Sequence, residues 1–119
     1  MQRRLELLCA CALALAAACS DSAQPSGPPD GKRLFVDQGC ATCHAADGSG
    51  TALAPTLRGK HELWTREKLV RYLVDPQAYV QGDTRLATQA RKYSLPMTKF
   101  GMLSPEQLGA LADQVLALP

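Results

Sequence analysis

An all-α domain of about four short helices is what this 119-residue chain predicts. Three observations carry the prediction. Helix start and stop signals recur along the chain; apolar residues repeat at helical spacing; no strand pattern of useful length and no internal repeat occurs. The helices also have something to wrap around. Gly39-Cys40-Ala41-Thr42-Cys43-His44 sets two thiols three apart and follows them at once with an imidazole. That spacing captures both vinyl groups of a haem as thioethers while the histidine reaches the iron from one face. On this reading Cys40 and Cys43 are the covalent anchors of one haem c, and His44 is the proximal iron ligand.

A C-x-x-C pair has other uses. It can be a thioredoxin-like dithiol or half of a zinc site. Both fit poorly, because the sequence holds no second C-x-x-C, His61 is the one other histidine, and no βαβ pattern surrounds the motif.

The residues before the domain read as appendages. Met1-Gln2-Arg3-Arg4 is a short basic head, and residues 7–18 form an apolar run of Leu, Ala and Cys. Twelve residues are too few to span a bilayer as a helix but suit the h-region of a signal peptide, although Glu6 sits beside it. Ala16-Ala17-Ala18-Cys19 then resembles a bacterial lipobox, in which the chain is cut before the cysteine and the thiol is acylated. Leu15 lies one position too early for that motif, and a plain signal peptide with an unmodified cysteine is the alternative. The expectation is a lipoprotein signal over residues 1–18, an acylated Cys19, and a tether over residues 19–30. The tether holds Pro25, Pro28 and Pro29 and hardly an apolar side chain, so it cannot bury enough surface to fold. Every thiol is then used: Cys9 and Cys11 leave with the signal, Cys19 carries lipid, and Cys40 and Cys43 carry haem.

Removing Arg3, Arg4 and Glu6 from 13 basic and 11 acidic residues leaves 11 and 10, a formal +1. That balance excludes a strong nucleic-acid or polybasic membrane surface. A domain over residues 31–119 buries only a small core by itself. A haem in its middle supplies the missing apolar surface.

Within that domain, G-K-R-L-F-V-D-Q-G reads as a short helix burying Leu34 and Phe35 and ended by Gly39, so that it delivers the cysteines. A glycine-rich loop, Asp47 to Thr51, leads to Ala54-Pro55-Thr56-Leu57-Arg58-Gly59. Proline lacks an N–H but keeps its carbonyl, so Pro55 is a candidate acceptor for the Nδ1–H of His44, or else a simple loop proline. A second helix is capped by Thr65, with Trp64 stapled onto Leu69; Leu69, Val70, Leu73 and Tyr72 form its stripe, and it stops at Asp75 before Pro76. Asp83 caps a third helix running to about Lys92, with Leu86 and Ala90 inward. The last helix has the fullest set of signals: Ser104 as N-cap, Pro105 at the first position, Gln107 at the third, a Leu103–Leu108 staple, then Leu111, Val115 and Leu118.

Ser94-Leu95-Pro96-Met97-Thr98-Lys99-Phe100-Gly101 lies between the third and last helices. A thioether on such a proline-limited loop is a candidate sixth ligand, which would raise the reduction potential. Met97, Met102 and Lys99 are all open on chemistry alone.

Taken together, the chain from Gly31 to Leu118 resembles a class I, monohaem cytochrome c. The matching pieces are Gly31 and Phe35, C-A-T-C-H, A-P-T-L-R-G, L-V-D-P-Q-A-Y, and M-T-K-F-G-M-L-S-P-E-Q. The resemblance implies a small cytochrome c fold with its first and last helices crossing, Pro55 accepting from His44, and Met97 as the axial methionine. It implies an electron carrier, not an enzyme, with redox proteins as donor and acceptor: membrane-bound respiratory complexes or a periplasmic reductase. The expected place is the periplasm, with the lipid on Cys19 as the membrane anchor. Two departures stand out. Gln114 occupies the place where the family carries an aromatic, and Pro96-Met97 reverses the frequent Met-Pro order. The competing readings are a haem enzyme or ligand sensor with an open distal site, and a module of a larger redox complex.

Overall fold

The computed structural model of the chain describes residues 27–119. The proposed signal peptide and residues 19–26 of the proposed tether, Cys19 included, lie outside the described residues. Among those described there is no strand, and the architecture is all-helical.

Helix α1, Gly31–Asp37, opens on Asp30, whose carboxylate accepts from the N–H groups of Lys32 and Arg33. It buries Phe35, half-buries Leu34, and hands over at Gly39. Gly39 has φ 78, a left-handed conformation that costs glycine little, so the chain turns and starts α2, Cys40–His44, at once. That the cysteine motif is itself a helical turn was not among the sequence expectations. The stretch after it makes one 3₁₀ turn, Lys60–Glu62, then α3, Arg66–Val74, capped by the Thr65 hydroxyl accepting from Lys68 N–H.

Pro76 does end α3, but it also begins another helix. Asp75 closes α3 and caps α4, Pro76–Gln81, with its carboxylate accepting from Ala78 N–H and proline at the first position, where no donor is missed. Helix α5, Thr84–Ala90, is capped by Asp83 and buries Leu86. It ends two residues short of the expected Lys92, and Ala90, though solvent-exposed, lines the same central cavity as Leu86. The last helix, α6, is Pro105–Leu116, and its capping box is complete: Gln107 N–H donates to Ser104 Oγ at 3.2 Å, and Ser104 N–H to Gln107 Oε1 at 2.9 Å.

The core is one cluster that includes Phe35, Leu69, Leu73, Phe100, Leu108, Leu111, Ala112 and Val115. Helix α6 is its spine, meeting α1 along the largest helix contact and α3 along the next. The α1–α6 crossing is tight at Gly31. A Cβ there would drive into the Ala110 backbone and stand 3.0 Å from Gln114 Cβ, so the missing side chain is what lets the helices approach. The polar Gln114 at this crossing is half-buried.

Candidate functional site

The site grows from α2. Because the helix follows α1 directly, it carries Cys40 and His44 into the interior and leaves Cys43 half-buried. The two thiols are not joined to each other. His44 is 5% exposed, and its Nδ1 lies 2.8 Å from the Pro55 carbonyl oxygen. A carbonyl only accepts, so Nδ1 carries the hydrogen and Nε2 keeps a free lone pair. Burial holds the imidazole pKa below its ordinary value; the Pro55 carbonyl opposes that shift and the Lys60 charge adds to it.

Pro55 is positioned by a tightly bonded loop. The chain leaves α2 through Ala45 at φ 66, ψ 154, a region that costs an L residue of order 1–3 kcal/mol. Gly50 N–H then donates to His44 O at 2.8 Å, Leu57 N–H to Gly48 O at 2.8 Å, and the Thr51 hydroxyl to Cys43 O at 2.6 Å. Arg58 closes the loop on Asp47.

These residues border a cavity to which every helix and the 3₁₀ turn contribute. Its walls are mainly apolar, including Phe35, Leu57, Leu69, Leu73, Leu111 and Val115. Cys40, Cys43, His44, Pro55 and Met97 all line it. Met97 is half-buried against the core cluster, whereas Met102 is 81% exposed and away from the cavity. Lys99 does not line the cavity either: its ammonium sits 2.9 Å from Asp75 Oδ2. That pair, with Phe100 N–H donating to Leu73 O at 2.9 Å, ties the Met97 loop to the end of α3.

A planar, largely apolar macrocycle suits such walls, and the donor set suits haem: two thiols on one turn for the vinyl groups, an imidazole with a free Nε2, and a soft thioether. The dithiol and zinc alternatives fare worse. Burial pushes the Cys40 thiol up to about 11, away from the thiolate that exchange chemistry needs. Among the described residues no three His, Cys, Asp or Glu side chains converge as a metal cluster, and His61 is exposed on the 3₁₀ turn.

Sequence reasoning missed part of the lining. Trp64, Tyr72 and Tyr79 stack edge to face and tilted, with centroids 5.2 to 5.8 Å apart. Trp64 and Tyr72 reach the cavity, as do Lys60 and Arg85. Aromatic spacing along α3 and α4 was a usable signal for the trio; nothing local marked the two cations.

An all-helical domain closed around a cavity of this composition is a haem-binding electron-transfer module. Residues 29–118 match the family model described as Cytochrome c, and the chain belongs to that family. It carries covalent haem c and transfers electrons through it. Cytochrome c type-1 of Ascaris suum is 33% identical, the match covering 52% of this chain and 72% of that protein. Cytochrome c 2.1 of Caenorhabditis briggsae is 30% identical, over 57% and 79%. A bacterial relative, the cbb3-type cytochrome c oxidase subunit CcoP of Azospirillum brasilense, is 31% identical over 74% of this chain but only 30% of its own length. No solved structure matches.

Proposed function

We propose that this chain is a class I, monohaem electron carrier held at the periplasmic face of a bacterial membrane by a lipid on Cys19. In this reading Cys40 and Cys43 form the two thioethers, and His44 and Met97 are the axial ligands of the haem iron. The observation that carries the reading is the 2.8 Å contact between His44 Nδ1 and the Pro55 carbonyl, on a histidine that lines the same cavity as both thiols and Met97. Pro55 fixes the tautomer, directs the free Nε2 lone pair to the metal and strengthens its donation. When bound, the haem supplies one-electron exchange between ferric and ferrous iron. The apolar walls exclude water, and the Lys99–Asp75 pair holds the methionine loop down. With His44 and Met97 both holding the iron, no open position would remain for a substrate, which favours a carrier over an enzyme. The single C-x-x-C-H in the sequence supports one haem.

The membrane part of the reading rests on the sequence of residues 1–30; among the described residues no helix is long and apolar enough to cross a membrane. Residues 1–18 are a lipoprotein signal and residues 19–30 a tether that raises the effective concentration of the domain beside membrane-bound partners. The likeness to an oxidase subunit favours a respiratory complex as the partner.

Expression in a host that attaches haem c, followed by haem staining of a denaturing gel and fractionation, tests both parts. Wild type should stain, and the double variant Cys40→Ala, Cys43→Ala should not. Cys19→Ser should move the stained protein from membranes to the soluble fraction. A colourless wild-type protein with reactive thiols would return the motif to a dithiol, and membrane association of Cys19→Ser would remove the lipid anchor.

A further inference from the structure

One apolar side chain that the helical spacing assigned to the last helix lies beyond it. Helix α6 ends at Leu116, and Leu118 follows in the turn that leaves it, half-buried, its N–H donating to Val115 O at 3.2 Å. The side chain lies on Gly48. A Cβ at that glycine would stand 2.5 Å from Leu118 Cδ1, and Gly48 is buried beneath the leucine at φ 71, where an L side chain is strained. The Leu118 carbonyl fastens the far end of the same loop, accepting from Gly59 N–H at 3.3 Å. The loop has little other cover: Asp47, Ser49, residues 51–53, Thr56 and Arg58 are all exposed.

Gly48 in turn holds the segment that presents Pro55. Its carbonyl accepts from Leu57 N–H at 2.8 Å and from the Thr56 hydroxyl at 3.1 Å, which fixes the two residues after the proline. Pro55 O then meets His44 Nδ1 at 2.8 Å. We infer that Leu118 is a positioning residue for His44: by covering Gly48 it fixes the Gly48 carbonyl and, through it, the Pro55 carbonyl at the place the imidazole N–H needs. The inference rests on the proposed role of His44 as an axial ligand of haem iron. A firmly held acceptor at Nδ1 makes Nε2 the stronger donor, and stronger donation favours ferric iron. Loosening the loop weakens that hydrogen bond and raises the potential. The exit of α6 thus has a task separate from the α1–α6 crossing, because it braces the loop on the proximal side of the site.

The experiment pairs midpoint potentiometry with exchange of the His44 Nδ1 proton into deuterated solvent, followed by NMR on ferrous holoprotein. Leu118→Ala should raise the potential and speed the exchange about tenfold, the factor that about 1.4 kcal/mol of lost local stability gives. Leu118→Met keeps the side-chain volume and should restore both values. Leu118→Val should shift both the same way by less, and it carries the test if the alanine variant yields no holoprotein. Leu116→Ala removes a neighbouring apolar side chain that packs on the core cluster, and should cost stability while leaving potential and exchange as in wild type. Wild-type potential and exchange in the Leu118 variants, whatever their stability, or equal shifts in Leu116→Ala, would overturn the assignment. A wild-type protein that fails to stain for haem would instead refute the proposed function, which keeps the two failures separate.

Discussion

Arg58 grips Asp47 twice, with its terminal nitrogen 2.6 Å from the carboxylate and its Nε donating to the Asp47 carbonyl at 3.1 Å. The two residues bracket the loop that presents Pro55 to His44, so a surface ion pair keeps shut a segment whose one buried task is to orient an imidazole.

Acid should open that loop. Hydrogen bonds from Ser49 hold the Asp47 carboxyl below the usual carboxylate range, and the Arg58 charge adds to them. A group whose folded pKa is depressed contributes stability that is full above its unfolded value, about 4, and is lost as pH falls through the folded value. Chemical denaturation of holoprotein should therefore show stability falling with acidity below about pH 4. Asp47→Asn should flatten that dependence and lower stability at neutral pH. An unchanged acid slope would remove Asp47 from the account.

Strain beside His44 gives a second prediction. Ala45 holds φ 66, ψ 154, which glycine adopts at little cost. Ala45→Gly should raise the unfolding free energy by up to about 1 kcal/mol, the relief exceeding the entropy added to the unfolded chain. Destabilisation by the same amount would show the backbone there to be unstrained.

Two glycines of α1 and α6 should behave differently. A Cβ at Gly31 meets the Ala110 backbone, which cannot yield without parting the helices, so Gly31→Ala should cost about 1–3 kcal/mol. A Cβ at Gly109 meets the Arg66 guanidinium, the free end of a long side chain. Gly109→Ala displaces the exposed Arg66–Asp113 pair but gains helix propensity, and should stay within about 1 kcal/mol of wild type. Equal losses at both positions, in denaturant titrations, would mean that the crossing is not set by backbone contact.

The methionines give the sharpest contrast. Met97→Ala should keep covalent haem, lower the potential and admit exogenous ligands to the iron; Met102→Ala, at an 81% exposed position, should change none of these. A wild-type-like potential in the Met97 variant would move the ligand elsewhere.

Legibility in the sequence followed the range of the interactions involved. The Ser104–Gln107 capping box and the Leu108, Leu111, Val115 stripe lie within one helix, so α6 could be read residue by residue. Helix α4 could not, because Pro76 is both the stop for α3 and a favourable first residue for its successor, and only the Asp75 backbone decides. The cysteine motif gave the chemistry of the site without its setting. Lys60 and Arg85 are 25 positions apart and line one cavity only because α3 packs on α4 and α4 on α5, which no local pattern encodes.

The central claim is that this cavity closes around a haem with both axial positions occupied by the chain itself. The most direct test is the absorption spectrum of the holoprotein, oxidised and reduced, taken in alkaline pyridine and after adding carbon monoxide. The account predicts a c-type pyridine spectrum, a reduced spectrum indifferent to carbon monoxide, and the weak near-infrared band of methionine-ligated ferric iron. A reduced spectrum that shifts at once with carbon monoxide would mean an open iron, and would contradict the carrier in favour of a haem enzyme or gas sensor.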